Sequence, residues 1–395
     1  MKFDSKIYQI TQPGSFGNIS MGIGVLALIL SAVGYLTNAG QFFHSYLVSF
    51  AFWVTLGLGG MFFTMLHHLT SSTWSTVFRR ISETVTKILP LLFIFFIPIM
   101  LGGIHELYHW SHADVIANDE LLQKKSGYLN EVFFIIRTVL YFLIWFFFAT
   151  KLYTLSILQD TSDDASLTQR MLKFSSAGMI LFALTISFAA FDWLMSTDAH
   201  WYSTIFGVYI FAGSYLAILT FLVLASHFLQ GNGILNKEIT VEHFHDLGKL
   251  LFGFIIFWAY IAGSQYFLIW YANIPEETIW FLHRWEGSWK PMSQFLMFGH
   301  FVIPFIILVF RASKRNLSVL KTMAAWILFM HYVDIYWIVM PTFHQHGVHF
   351  SWMDLTTFLG IGGIFISLFW RQFSAKPVVP VNDPTLQKSF GFMNV

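Results

Sequence analysis

The sequence predicts an all-α integral membrane protein of about ten transmembrane helices, and three observations carry that prediction. Asp, Glu, Lys and Arg together are 11% of the 395 residues, against about a quarter in a soluble domain, less than half of what a water-facing surface needs. Hydrophobic residues make up 56%, and 46 residues are Phe. The apolar residues fall into ten runs of about 20 or more, the length a helix needs to cross a hydrocarbon core of about 30 Å that offers its backbone no water. A transmembrane β-barrel would show alternating segments of about ten residues, whereas these runs are apolar on every side.

The first run, 18–38, follows a polar, mixed-charge start too long for the n-region of a secretory signal, so it is expected to stay in the protein. The second, 43–69, carries small residues from Gly57 to Gly60, where another helix can come close. The third, 77–104, holds Pro90 and Pro98, which are expected to kink it or free a carbonyl. The fourth, 131–158, contains Arg137, and the fifth, 171–195, contains Asp192. The sixth covers 203–229; the seventh, 247–273, includes Tyr260, Ser264 and Gln265. The eighth, 292–312, holds His300 and Pro304, the ninth, 319–341, holds His331 and Asp334, and the tenth, 352–371, has a second small cluster from Gly360 to Gly363. Within one polytopic domain, spans two to five (about 43–195) and six to nine (about 203–341) are two candidate four-helix bundles, with the first and tenth helices peripheral. No self-similarity in the sequence is strong enough to prove a repeat.

Lys and Arg stay on the cytoplasmic side of a membrane protein. With the N-terminus inside, 17 of the 22 basic residues, from Lys2 to Lys388, fall on the inner side, while Lys124, Lys125, Arg284 and Lys290 fall outside and Arg137 sits within a span. An even helix count with both termini cytoplasmic follows. The two long outer segments, 105–130 and 274–291, mix acids, bases and aromatics, which suits docking to a partner. A net charge of +1 without a long basic block excludes a nucleic-acid footprint. With no cysteine there are no disulfides, thiolate-held iron–sulfur clusters, covalent c-type haem or Cys nucleophile, so any redox cofactor held by this chain alone is ligated by His or bound without covalent help.

A charge within the bilayer costs at least a few kcal/mol unless it is paired or hydrated, so the few ionisable residues in spans are the candidate functional groups. Arg137 and Asp192 lie at similar depths from the outer side and are expected to pair, with Glu106 as the competing partner. The pair either fixes helix packing or takes part in proton movement. His331 and Asp334, three apart on one helical face, have the pattern of a relay in which Asp334 holds the His331 tautomer. Tyr332, Tyr336, Tyr260, Ser264 and Gln265 are candidates to extend it, and His300 to join it. A helix-to-helix hydrogen bond is the plainer alternative for either histidine, and haem b between His300 and His331 a further one. His67, His68, His105, His109, His112, His344, His346 and His349 fall at span ends or loops, where interfacial solvation accounts for them, and no spacing completes a zinc site. No phosphate loop, nucleophile elbow or paired catalytic carboxylates occur in the loops, so no self-contained active site is expected.

Four stretches carry a resemblance: Phe191-Asp192-Trp193-Leu194-Met195-Ser196; His200-Trp201-Tyr202-Ser203-Thr204-Ile205-Phe206-Gly207; the run from His245 through Gly248 and Lys249 to Trp258, Tyr260, Gln265, Trp270 and Tyr271; and Trp280-Phe281-Leu282-His283-Arg284-Trp285-Glu286-Gly287. Together they resemble the ActF family of membrane subunits of bacterial alternative complex III, relatives of the NrfD and polysulfide-reductase anchors, over the whole ten-span layout. Asp198-Ala199 departs from the acidic-Pro pair of that family's turn, which bears on the loop shape.

The resemblance implies a multi-pass subunit, in the bacterial inner membrane, of a respiratory-chain quinol:cytochrome c oxidoreductase. It implies partners: a multihaem cytochrome c, an iron–sulfur protein, the sister anchor ActC and a haem-copper oxidase, within surrounding lipid. Haem c and iron–sulfur clusters would sit in those partners, and this chain alone would bind no redox centre, with quinone as its one candidate ligand. Carried onto this sequence, it makes Arg137, Asp192, His331 and Asp334 proton-path residues, and His105, Glu106 and Asp192 a quinone head-group set, although ActC is the better candidate for quinol oxidation. The rival reading is a stand-alone proton-coupled secondary transporter with Asp192 and Asp334 as coupling sites.

Overall fold

The computed structural model describes residues 6–393 and contains, among them, helices and no strand. Ten helices are long and apolar enough to cross a membrane: α1 (Phe16–Thr37), α2 (Ala39–Thr70), α3 (Thr76–Leu107), α4 (Glu131–Gln159), α5 (Ser166–Asp198), α6 (Phe206–Gly231), α7 (Val241–Ala272), α8 (Trp289–Leu308), α9 (Leu317–Thr342) and α10 (Trp352–Ser374). This is an all-α, multi-pass membrane protein. Lys2, one of the expected inner cations, lies outside the described residues.

The packing is organised around α2. It is 94% buried along its most apolar stretch, against 22% for α1, and it packs on α3, α5, α6, α9 and α10. Its glycines make this possible: a Cβ on Gly59 would stand 2.1 Å from the Ser214 carbonyl oxygen of α6. The helices α4 and α5 pair with each other, α5 also packs on α6, and α6 draws in α7 and α9. α1 lies almost wholly against α10, where a Cβ on Gly363 would come within 2.6 Å of the Ser20 carbonyl oxygen. Outward faces are apolar, as on α4, where Ile136, Leu140 and Leu143 are exposed; in a membrane protein such a face meets lipid tails.

Proline shapes two helices. In α3 the helix breaks at Ile88, where Pro90 removes a backbone donor, and the turn after Pro98 widens to a π-helix over Ile99–Gly103. α8 widens the same way over Met297–Val302, just before Pro304, and His300 sits on that wide turn. Several starts are capped: Asn130 accepts from the Phe133 amide at 2.9 Å, and Ser351 and Asp354 form a capping box at α10. α7 starts six residues earlier than the apolar run suggests, because Thr240 and His243 make a capping box that draws a polar first turn into the helix.

The two ends of the bundle differ. At one end, called here the long-loop end, 108–130 folds into short helices over His109–Ser111, Ala113–Ala117 and Glu120–Lys125, and a further short helix spans Pro275–His283. At the other, the terminal end, Pro13 accepts a 2.8 Å bond from the Trp370 indole. The chain after α10 turns back beneath α3, α4 and α7 there. Val378 donates to the Tyr8 carbonyl at 2.8 Å, Val381 to Asp160 Oδ1 at 3.2 Å, and Ser389 Oγ to the Trp74 carbonyl at 3.1 Å.

Candidate functional site

Two of the carboxyls buried among the helices, Asp192 and Asp334, have surroundings that differ in kind. Asp192, near the end of α5, is fully buried. Arg137 of α4 donates to it twice, from Nε to Oδ2 at 2.8 Å and from Nη2 to Oδ1 at 2.9 Å, and Tyr141, one turn further along α4, donates to Oδ2 at 2.7 Å. The guanidinium also donates from Nη1 to the Tyr128 carbonyl at 2.9 Å and stacks at 3.8 Å from the Tyr128 ring and 4.3 Å from Phe133. Such a forked, multiply bonded ion pair fixes α4 against α5, and removing one partner of a buried pair costs about 3–5 kcal/mol. Around it the rings of Trp193, Trp145, Phe142 and Phe96 close the space between helices; the Phe96 and Trp193 centroids are 4.8 Å apart.

Asp334 of α9 is 3% exposed and has no ion-pair partner among the described residues. Its donors are neutral: the Tyr209 hydroxyl of α6 to Oδ1, and Trp258 Nε1 of α7 to Oδ2 at 3.1 Å. The expected dyad with His331 is not made. Positions three apart on a helix differ by about 60° around its axis, so His331 turns toward α2, where its Nε2 and Thr55 Oγ1 are hydrogen-bonded at 2.9 Å, while Asp334 turns toward α6 and α7. Among the described residues His331 Nδ1 has no hydrogen-bond partner, and neither has either ring nitrogen of the fully buried His300, whose ring lies 3.9 Å, centroid to centroid, from Trp258. Trp258 thus touches both His300 and the carboxyl of Asp334. A buried imidazole with unbonded nitrogens calls for a small polar partner such as water.

The extensions expected for a relay go elsewhere. Tyr260 is 66% exposed on the outward face of α7. Tyr332 and Tyr336 donate to the backbone of Asp354 and His349 at 3.3 and 2.7 Å, and Ser264 to the Ile261 carbonyl at 3.2 Å. Gln265 is buried and accepts from Ser203 Oγ at 3.2 Å, away from Asp334.

The trio expected for a quinone head group, His105, Glu106 and Asp192, is not brought together. His105 and Glu106 are exposed. The His105 imidazole faces Ser111 Oγ at 3.0 Å and Glu131 at 3.5 Å. Glu106 lies beside Gly40 of α2, so it is no partner of Arg137 either. Asp192 is sealed under Arg137 and Tyr141. These residues do not form a pocket in which a ring could sit.

The long-loop end joins two of the sequence stretches quoted above. Trp201 stacks on Trp280 with centroids 4.2 Å apart and planes 11° from parallel. Arg284, 1% exposed, stacks on Trp280 at 3.3 Å and donates to the carbonyls of Trp280, Trp337 and Ile338 at 2.8, 3.1 and 2.7 Å. Burial pulls its pKa down to about 9, with Asp198 opposing, so it keeps its charge at neutral pH. A polar cleft of about 170 Å³ opens beside it, lined by His109, Asp198, His200, His283 and Gln345 among others. No protein-family model matches this chain, and no curated protein matches it either.

Sequence reasoning missed a third set of buried charges at the terminal end. Arg79 and Arg80 of α3 are 1% and 0% exposed. Arg79 pairs with Glu83 at 3.0 Å and with Asp383 of the returning tail; Arg80 pairs with Asp160 at 2.6 Å and Glu83 at 3.4 Å. The spacing of Arg79 and Glu83, four apart, is the one readable signal of it. Burial alone would raise the Asp383 carboxyl, but Arg79 and the hydrogen bonds from Thr385 outweigh it and hold the group below its ordinary range. Among the described residues no cluster of three or more His, Asp or Glu is arranged to hold a metal ion.

Proposed function

We propose that this chain is the membrane subunit of a bacterial quinol:cytochrome c oxidoreductase of the alternative complex III type, set in the inner membrane with both termini in the cytoplasm. It scaffolds a multihaem cytochrome c, an iron–sulfur protein and a sister anchor through its long-loop end, and it moves protons through the interior of α6–α9. The observation that carries this reading is Asp334: a buried carboxyl on two neutral donors, one of which, Trp258, also lies against His300, an imidazole with unbonded nitrogens. A carboxyl so held exchanges a proton without an ion pair being broken. Asp192 lacks that freedom, since its Arg137 partner would be left as an unpaired buried charge; its role is that of a clamp.

Two further features support the assignment. The Trp201–Trp280 stack and the Arg284 bonds tie separate segments into one firm outer platform, suited to a protein partner. The chain's lack of cysteine leaves iron–sulfur and c-type haem chemistry to such partners.

The test is purification of the tagged full chain from native membranes. The expected result is co-purification with c-type haem absorbance and iron, with Asp334→Asn lowering both turnover and proton release in an assembled complex. A chain that comes out alone and drives solute uptake on a proton gradient would instead be a secondary transporter. Unchanged turnover and proton release in Asp334→Asn would remove the proton path.

A further inference from the structure

α9 lies mainly on α2 and α6 and α10 on α1 and α2, and the two meet each other through side chains such as Tyr332, which donates to the Asp354 carbonyl. Between them opens a lateral slot of about 700 Å³ whose floor is α2 and α6. Its walls are aromatic, with Trp53, Phe329, Tyr332, Phe350 and Phe358 among them; Tyr332 meets Phe358 edge-on at 5.0 Å, and Trp53 lies 5.4 Å from the same ring. Toward the terminal end the neighbouring helices close together through Phe221 and Phe369, 5.3 Å apart.

Among the described residues one charged side chain lines the slot, that of Asp354, and it sits toward the long-loop end. Its Oδ1 accepts from Ser45 Oγ at 2.5 Å and its Oδ2 from the Ser351 amide at 2.8 Å. A carboxylate has room for about four hydrogen bonds, so acceptor capacity remains. Behind it a hydrogen-bonded chain leads to the long-loop surface. Gln41 Nε2 donates to Ser45 Oγ at 2.9 Å, and Gln41 Oε1 meets His344 Nε2 at 2.6 Å.

We infer that the slot binds a long-chain amphiphile with a planar, uncharged, hydroxyl-bearing head group, the chemistry of a hydroquinone, whose hydroxyl donates to Asp354. The ring lies between aromatic walls and the chain leaves sideways into lipid. The lining argues against a phospholipid occupant: among the described residues no Lys or Arg lines the slot to meet a phosphate, and the one charged group there is an acid that repels it. The site also differs in place from His105, Glu106 and Asp192, which do not converge. The choice of a hydroquinone rests on the function proposed above; the slot, its acid and the chain to His344 stand without it.

The test uses the purified full chain, with whatever subunits accompany it, in phospholipid nanodiscs, and a photoreactive azido-hydroquinone with a ten-carbon chain as probe. Expected are cross-links within 325–332 and 350–358, displaced by decyl-hydroquinone and not by excess phosphatidylglycerol. Asp354→Asn should raise the half-saturating probe concentration roughly tenfold, the loss of about one good hydrogen bond. Ala325→Trp, which fills the slot from an exposed position on α9 and leaves the core untouched, should abolish labelling with an unchanged unfolding temperature. Cross-links scattered over the outward faces of α4, α5 and α7, equal displacement by phosphatidylglycerol, or full labelling of folded Ala325→Trp would overturn the site. Slot labelling in a preparation without quinol:cytochrome c turnover would uphold the site while removing the respiratory reading.

Discussion

Gly213 of α6 makes room for His331 of α9: a methyl group there would stand 2.9 Å from the imidazole Cε1 and 3.0 Å from Nδ1. The missing side chain lets the ring reach across to Thr55 of α2. Gly213→Ala is therefore expected to push His331 off Thr55 at an overpacking cost of about 1–3 kcal/mol. Thermal unfolding in detergent measures the cost. On the proposed assignment, proton release per quinol in the assembled complex shows whether the position of the ring matters; Gly213→Ala matching wild type in both would count against the close fit of Gly213 and His331.

Arg137 and Asp192 should behave as a clamp. Arg137→Ala leaves a buried carboxylate alone and is expected to lower stability by about 3–5 kcal/mol, whereas the double replacement Arg137→Met with Asp192→Leu should recover most of it, because a buried pair exchanged for apolar residues of similar size is often neutral. Comparing the unfolding midpoints of the single and double variants decides the point. A double variant as unstable as the single would mean that the pair contributes through more than its charges.

Trp280→Ala should loosen the platform at the long-loop end without unfolding the helices. It removes a stacked partner of Trp201 and the cap on Arg284; an aromatic pair contributes about 0.5–1.5 kcal/mol beyond its buried area. The expected outcome is faster hydrogen exchange confined to 197–206 and 274–290 and, on the proposed assignment, loss of c-type haem from the purified material. Protection unchanged in both segments would place the rigidity elsewhere.

The returning tail should let go in acid. Asp383 has a folded-state pKa held below its ordinary value, so its contribution is present above the unfolded carboxylate pKa of about 4 and fades as pH falls through the lower folded value. A spin label on Met393→Cys, at an exposed position in a chain with no other cysteine, should report an ordered tail from neutral pH down to about 4 and growing mobility below it. Asp383→Asn should give the mobile spectrum already at neutral pH. A label equally mobile in the parent protein and in Asp383→Asn at neutral pH would count against the latch.

The membrane helices could be read from composition because length and apolarity are enough to specify a span. Arg137 and Asp192 could be paired because both lie a turn or two from the same ends of neighbouring runs. Direction around a helix was not readable in the same way. Tyr260 and Trp258 are two residues apart, about 200° around the axis, and the inward one is the tryptophan, a distinction that hydropathy alone does not make. His331 and Asp334 share a face only loosely, and which neighbour each meets depends on where α2, α6 and α7 stand. The charges at Arg79, Arg80 and Glu83 look like the solvated start of a span until the tail, hundreds of residues later, folds back to bury them. Asp354 reads as an ordinary helix cap, and only the divergence of α9 and α10 gives it a slot to face.

The burial of α2 has a mechanical consequence. Its Phe50 packs on Trp193, next to Asp192, with ring centroids 5.6 Å apart, and its Thr55 holds His331. Five residues of helix separate these grips, about 7.5 Å along the axis. One stiff rod therefore reaches both acid neighbourhoods, and any axial slide or twist of that rod would be felt by both together, making them a single gear train rather than two independent machines.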